Sequence, residues 1–214
     1  MFSGGTSTVV GVAFRRTGGT PPAPPAPTVP RVRIAARDPA VAGRLAAALT
    51  GAGLAETSGE PPDVVLLDLG PPREGLAVLA GLLAGDGPPA VLVLTGERPD
   101  RHVLRALRAG ARGFVPGALT GAALADAVRA AAAGRTVLGP GEPPGPAALG
   151  RVRALPEADA AVLACLGEGL SDRQIARCLR LRRGSADRHV ARVVGRLGCA
   201  DRVEAGLLAF AAGL

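Results

Sequence analysis

Residues 155–214 read LPEADAAVLACLGEGLSDRQIARCLRLRRGSADRHVARVVGRLGCADRVEAGLLAFAAGL, and the pattern predicts four short helices with little between them. Ser171, followed three residues later by Gln174, has the spacing of a capping box, after which Ile175, Ala176 and Leu179 recur at helical intervals. The pattern breaks from Arg180 to Gly184. Val190, Val193, Val194 and Leu197 then resume it at i, i+3, i+4 and i+7, the buried stripe of a second helix. A capped helix, a tight turn and a second helix make a helix-turn-helix, so double-stranded DNA is the first partner to test. Away from the stripe, Arg188, Arg192 and Arg196 recur every four residues, with Arg182 and Arg183 at the helix entrance. The planar guanidinium fork can bond guanine O6 and N7 together or bridge phosphate oxygens. A solvated helix face carries such a row equally well, and the capped pair before it is what favours DNA.

These residues resemble the DNA-binding domain of LuxR-type regulators. Val32 to Gly134 resembles the receiver domain that precedes it in NarL/FixJ-type response regulators. Val162-Leu163, Gly169-Leu170-Ser171, Ile175-Ala176, His189-Val190 and Leu197-Gly198 fall in the family's places, while its opening Leu-Thr-x-Arg-Glu is reduced to Leu155, Pro156 and Asp159. The resemblance implies a DNA-contacting set of Arg182, Arg183, Ser185, Asp187, Arg188, His189 and Arg192. Where the family has Thr-Val-Lys, this chain has Ser185, Ala186 and Asp187, which puts an acid in place of a lysine. Asp187 repels phosphate, although it can accept from cytosine N4 or simply complement the helix dipole. The dipole role is favoured, leaving Arg188 and Arg192 as the expected base readers. Ser185, Asp187 and His189 lie at i, i+2 and i+4 and cannot converge as a catalytic triad; His189 is expected to pack near the DNA backbone. Asp201 can cap a last helix with Glu204 at its third position, and Val203, Leu207, Leu208 and Phe210 give that helix surplus apolar surface. The resemblance makes it the dimer contact, and a homodimer is expected.

Upstream, strands and helices alternate in the α/β manner. Val32 to Ala35, Asp63 to Asp68, Val91 to Thr95 and Gly113 to Val115 read as strands. Pro39 to Thr50, Gly75 to Leu83, Asp100 to Ala109 and Thr120 to Ala133 read as helices. The expected fold is a flavodoxin-like parallel sheet followed by an all-α domain. A receiver holds Mg²⁺ with two acids and a phosphoacceptor aspartate, and binds the phosphoryl oxygens with a hydroxyl and a lysine. Asp68 matches the acceptor and Thr95 the hydroxyl, but the acid pair falls on Ala36 and Arg37 and the lysine on Gly117. Asp38 lies one residue late. Arg37 is expected to pair with Asp68 where the metal would sit. Between Leu49 and Pro62 the family spends a strand and a helix, whereas this chain has only TGAGLAETSGEP. The second helix is therefore expected to be absent, Leu54 to Thr57 to be at most a frayed edge strand, and apolar sheet surface to be left uncovered unless a partner or the Pro-rich tail covers it.

The chain has 214 residues, enough for two domains, with 25 basic side chains, all arginine, and a formal charge of +7. This bias matches a high-GC genome, which weakens each arginine as evidence. Even so, residues 151–214 carry 11 Arg against 7 acids and residues 1–150 carry 14 against 11, so positive charge is denser around the helix-turn-helix. Cys165, Cys178 and Cys199 fit neither a zinc site nor a disulfide framework, and the first two are expected to be small buried thiols. No apolar run approaches the roughly 18 residues of a membrane span, so no membrane is expected as a partner. Residues 1–30 are expected to be a disordered Gly/Pro-rich tail, 31–134 a degenerate receiver, 135–153 a Gly/Pro-rich linker and 154–214 the DNA-binding domain. The sequence reading is a non-enzymatic transcription regulator that acts on promoter DNA in the cytoplasm, on the nucleoid, without aspartyl phosphorylation, cofactor or metal. RNA polymerase or a related regulator is a further candidate partner. The alternatives are a regulator working through heterodimerisation with weak DNA binding of its own, and a receiver that senses a small molecule.

Overall fold

The computed structural model describes residues 29–57, 59–96, 99–119, 121–139, 144–182 and 184–214. Its first part is a parallel sheet of β1 (Val32–Ala35), β2 (Val64–Asp68), β3 (Ala90–Thr95), β4 (Gly113–Pro116) and β5 (Val137–Leu138), in that spatial order. Continuous apolar runs such as VVLLD and AVLVLT form strands that are covered on both faces. Val64, Leu66, Leu92, Leu94 and Val115 pack into the layer of α1 (Pro39–Gly51) and α4 (Gly121–Ala132). Val65, Leu67, Val91, Val93 and Phe114 face the layer of α2 (Pro72–Leu83) and α3 (Arg101–Arg108).

The short stretch between α1 and β2 carries no helix among its described residues. Leu54 is buried, Thr57 N–H donates to the Val32 carbonyl at 2.8 Å, and Glu56 makes one parallel bridge to Val32, so the edge is a single contact rather than a strand. Arg31 clamps this edge to the start of β2, its Nη2 3.0 Å from Asp63 Oδ1 and its Nη1 3.2 Å from Glu60 Oε2. The Arg31 guanidinium holds the Asp63 carboxyl below the usual carboxylate range. Among the described residues no large apolar side chain of β1 lies bare on the face that lost its helix. There β1 presents Arg33, whose Nη2 lies 3.4 Å from the Glu60 carbonyl, and the small Ala35. The large exposed apolar side chains among the described residues are Val29, Val78 and Leu214.

The span expected to be a linker is partly regular. Val137–Leu138 adds β5 beside β4, and α5 (Pro146–Arg153) buries Val152 in the helical core. Proline at the helix start explains why a Gly/Pro-rich stretch still yields a helix, since the missing N–H is an orphan there anyway. Residues 140–143 lie outside the described residues.

The second part contains α6 (Glu157–Gly167), α7 (Asp172–Cys178), α8 (Ala186–Leu197) and α9 (Arg202–Ala212) around Leu163, Leu166, Ile175, Val193 and Leu197. Gln174 Oε1 accepts from both the amide and the hydroxyl of Ser171, at 2.9 and 2.8 Å, and so starts α7. Gly198 ends α8 in the left-handed conformation at φ 67°, where a side chain would be strained. Asp201 Oδ1 accepts from Val203 and Glu204 at 2.8 and 2.9 Å, while Glu204 Oε2 accepts from Ala200 at 2.6 Å.

The two parts meet where α9 lies on α3. Val203 is buried and Leu208 belongs to the helical core, whereas Leu207 and Phe210 pack against the α2–α3 layer. The apolar surplus expected to form a dimer face is therefore partly covered within the chain, with Leu207 and Phe210 half-buried. Gly206 permits this approach, because a Cβ there would stand 2.8 Å from the Leu166 carbonyl and 3.2 Å from Leu104 Cδ2. Arg108 bonds the Gly167 carbonyl at 3.3 Å and Glu168 at 3.1 Å, and its guanidinium stands 5.4 Å from the Phe210 ring centre. Arg108→Ala removes these three contacts together. We expect a larger radius of gyration by small-angle scattering with unchanged helicity by circular dichroism; an unchanged scattering profile would show that Arg108 does not hold the parts together.

Candidate nucleic-acid interface

Helix α8 stands on the other helices through Val190, Val193 and Leu197, and its outward residues divide into two groups. Arg188 and Asp187, on its first turn, are exposed. Arg192 and Arg196 instead reach back to α6. Arg192 Nε and Nη2 lie 3.0 and 2.6 Å from Asp159 Oδ1, and Arg196 Nη1 bonds Asp159 Oδ2. Asp159 is 1% exposed, and a carboxylate so removed from water is tolerated only when its oxygens are matched by charged donors. Arg188 is therefore the member of the expected row without an ion pair to Asp159, while Arg192 and Arg196 are paired to that acid and remain 45% and 48% exposed. His189 Nδ1 lies 2.9 Å from Arg192 Nη2 and extends the same network.

Two more expected contacts change role or lie outside the description. Ser185 is buried and donates its hydroxyl to the Arg182 carbonyl at 2.8 Å, so it closes the turn rather than facing outward. Arg182 is exposed, and Arg183 lies outside the described residues. Three exposed arginines were missed by the sequence reading: Arg173 and Arg177 on α7, and Arg180 in the turn. The first two are spaced by four on a helix face, a signal the sequence does carry. A groove of about 730 Å³ between α7 and the start of α8 is lined by Arg173 and Arg177 on one side and Asp187 on the other. Arg180 holds φ 52°, the one positive φ outside glycine among the described residues. Such a conformation costs a non-glycine residue on the order of 1 kcal/mol, and here it lets the chain reverse between the two helices.

At the carboxyl ends of the strands, the receiver residues are close but differently engaged. Asp68 Oδ1 accepts from the Gly70 amide at 2.9 Å, and Thr95 Oγ1 donates to the Gly96 carbonyl at 3.1 Å. Arg37 pairs with Glu74 at 2.7 Å, which corrects the expected pairing with Asp68: the start of α2 brings a nearer, more exposed acid. Asp38 is occupied as the cap of α1, accepting from Ala40 N at 2.8 Å. Ala36 packs toward the sheet core, and a Cβ at Gly117 would meet the Thr95 carbonyl at an ordinary 3.5 Å. Asp68 and Thr95 share a cavity of about 170 Å³ with Asp100 and His102, a pair joined at 2.9 Å that the sequence reading did not single out. Mg²⁺ is usually bound through one or two carboxylates and several waters. Among the described residues no three His, Cys, Asp or Glu side chains are grouped to hold a metal, and the family's acid pair is replaced here by Ala36 and Arg37.

Of the three thiols, Cys165 is buried as expected, but Cys178 is exposed, because it ends α7 where the helix leaves the core. No helix of the described residues is long and apolar enough to cross a membrane.

The chain is 30% identical over 162 residues to the DNA-binding transcriptional activator DevR/DosR of Mycobacterium tuberculosis, covering 69% of this chain and 72% of that protein. It is 47% identical over 55 residues to the virulence factors putative positive transcription regulator BvgA of Bordetella pertussis, 25% of this chain and 26% of that one. Among solved structures, the response regulator ChrA of a heme-sensing two-component system aligns at 28% identity and TM-score 0.42, over 86% of this chain and 96% of its own. DNA-bound RcsB dimers align at 16% identity and TM-score 0.49, over 87% and 100%. No family model matches. On the DevR/DosR relationship, which spans most of both chains, this protein belongs to the NarL/FixJ-type response regulators.

Proposed function

We propose that the chain is a sequence-specific DNA-binding transcription regulator that acts in the cytoplasm, on the nucleoid, without aspartyl phosphorylation. The observation that carries the reading is the α7–α8 pair, with exposed Arg173, Arg177, Arg182 and Arg188 about a recognition helix anchored through Asp159. The name of the DevR/DosR relative, a DNA-binding activator, supports it. In this reading Arg188 reads a base edge, while the α7 arginines and Arg182 hold phosphates. A homodimer on inverted half-sites spaced by about one DNA turn fits the motif. Dimerisation through Leu207 and Phe210 requires α9 to leave α3, which links assembly to opening of the chain.

Independence from phosphorylation is supported by the donor set at Asp68. Ala36 and Arg37 supply no metal-binding oxygen, and Gly117 supplies no cation for a phosphoryl group. The exposed Asp187 in the arginine groove favours a second reading, in which a related regulator is the main partner and DNA affinity is weak. Sensing of a small molecule at Asp68 is disfavoured by size, since a cavity of about 170 Å³ is below the roughly 300 Å³ of ordinary ligand pockets. No catalytic role is proposed.

Mobility shifts on operators selected from genomic fragments separate the roles. Arg188→Ala should cost about 1–3 kcal/mol of specific affinity and relax one base position, whereas Arg173→Ala should weaken all sequences alike. Arg192→Ala should act mainly on stability, costing about 1–3 kcal/mol by leaving an Asp159 oxygen short of a donor. Equal loss of stability and specificity in Arg188→Ala and Arg192→Ala would reject this division.

With acetyl phosphate and Mg²⁺, intact mass should show no stoichiometric adduct, and Asp68→Asn should bind DNA as the parent does. An adduct lost in Asp68→Asn, with a matching gain in DNA affinity for the parent, would restore a phosphorylation switch.

A further inference from the structure

The groove between α7 and the start of α8 carries four charged residues on its walls, Arg173 and Arg177 against Asp172 and Asp187. Two positive and two negative charges cancel, which leaves a poor surface for phosphate. Asp172 has a local reason to be there, since an acid in the first turn of a helix complements the exposed amides of that end. The same acid opposes a phosphate in the groove. A fifth charge, from outside the helix-turn-helix, answers it. Arg202, the first residue of α9, places Nη1 2.6 Å from Asp172 Oδ1 and Nη2 2.8 Å from the Leu170 carbonyl. One planar guanidinium thus holds both the first residue of α7 and the turn that leads into it. The two side chains are 31% and 44% exposed, so the pair stands at the surface and its charge reaches whatever lies in the groove.

We propose that Arg202 determines the affinity of this groove for a DNA phosphate, by pairing with Asp172 and so giving the groove its net positive charge. With the pair formed, Arg173 and Arg177 stand against Asp187 alone, a net charge of +1; without Arg202 the walls sum to zero. One unit charge roughly 5–10 Å from a phosphate in water changes affinity about two- to fourfold. The effect carries no sequence information, so it acts alike on an operator and on any other duplex, and added salt screens it. The inference rests on the DNA-binding reading and adds to it a residue of α9, 30 positions beyond the acid it neutralises.

The test titrates the full chain and its variants against a selected operator and a scrambled duplex, at low and at high salt. Arg202→Gln should weaken binding to both duplexes about two- to fourfold at low salt, and the deficit should shrink at high salt. Arg202→Lys keeps the charge but loses the fork, and should bind as the parent does. Asp172→Asn added to Arg202→Gln should restore the parent's affinity, because the groove charge is again +1. Asp172→Asn alone should bind at least as tightly as the parent, and it decides the matter if Arg202→Gln proves unstable by thermal unfolding. A deficit in Arg202→Gln that Asp172→Asn does not restore, or that persists undiminished at high salt, would show Arg202 bonding the phosphate itself or merely holding the turn, and overturns the proposal. Weaker binding by Asp172→Asn alone overturns it too. A parent that binds neither duplex at any salt rejects the DNA-binding reading and this inference with it, whereas a binding parent matched by Arg202→Gln rejects this inference alone.

Discussion

Asp159 lies on α6 with almost no contact with water, and its two oxygens are held by Arg192 and Arg196 of α8. An uncompensated carboxylate at such depth costs several kcal/mol, so α8 cannot leave its place on α6 without bringing the acid back to solvent. This fixes the rotation of α8 about its own axis. Val190, Val193 and Leu197 then face the core while Arg188 and Asp187 face out. The strained turn at Arg180 and the Ser185–Arg182 bond set where the helix begins. The outward face of α8 is thus positioned by charge pairing from below and by turn geometry at its entrance, and the proposed DNA contacts are assigned to exposed arginines on and around it.

A second constraint acts on the sheet. The crossover after α1 is too short to bring a helix back over β1, and the edge is held instead by a single backbone bridge and by the clamp of Arg31 on Asp63 and Glu60. Beside the same edge, Arg37 has turned to Glu74 and Asp38 to the cap of α1, so neither serves the ring around Asp68. What the receiver retains is an intact surface on α3. That surface receives α9 through Gly206, Leu104, Arg108 and Phe210.

Much of this was legible in the residues. The apolar runs of β2 and β3 and the capped spacing from Ser171 to Gln174 depend on neighbours a few positions apart, and the elements form where those patterns stand. The missing crossover helix could be read from chain length alone. Partners distant in sequence could not. Arg192 with Asp159 and Arg37 with Glu74 are separated by 33 and 37 residues, and a guanidinium that looks free on a helical wheel is free only if no buried acid lies within its reach. Leu207 and Phe210 were likewise read correctly as apolar surplus, but periodicity does not say whether a second chain or this chain's own α3 covers them. Val137–Leu138 was hidden by the glycines and prolines that follow it, because a two-residue strand exists only through its pairing with β4.

We propose that the outward arginines of α7 and α8 engage the phosphate backbone while Arg188 reads bases. The salt dependence of binding by the full chain, measured on a selected operator and on a scrambled duplex, tests it most directly. The account predicts that log Kobs falls linearly with log salt on both, with a slope of about −0.9 for each phosphate neutralised, and that the operator remains tighter by about 10³ or more at physiological salt. Affinity that does not vary with salt, or equal affinity for the two duplexes at every salt concentration, would contradict it.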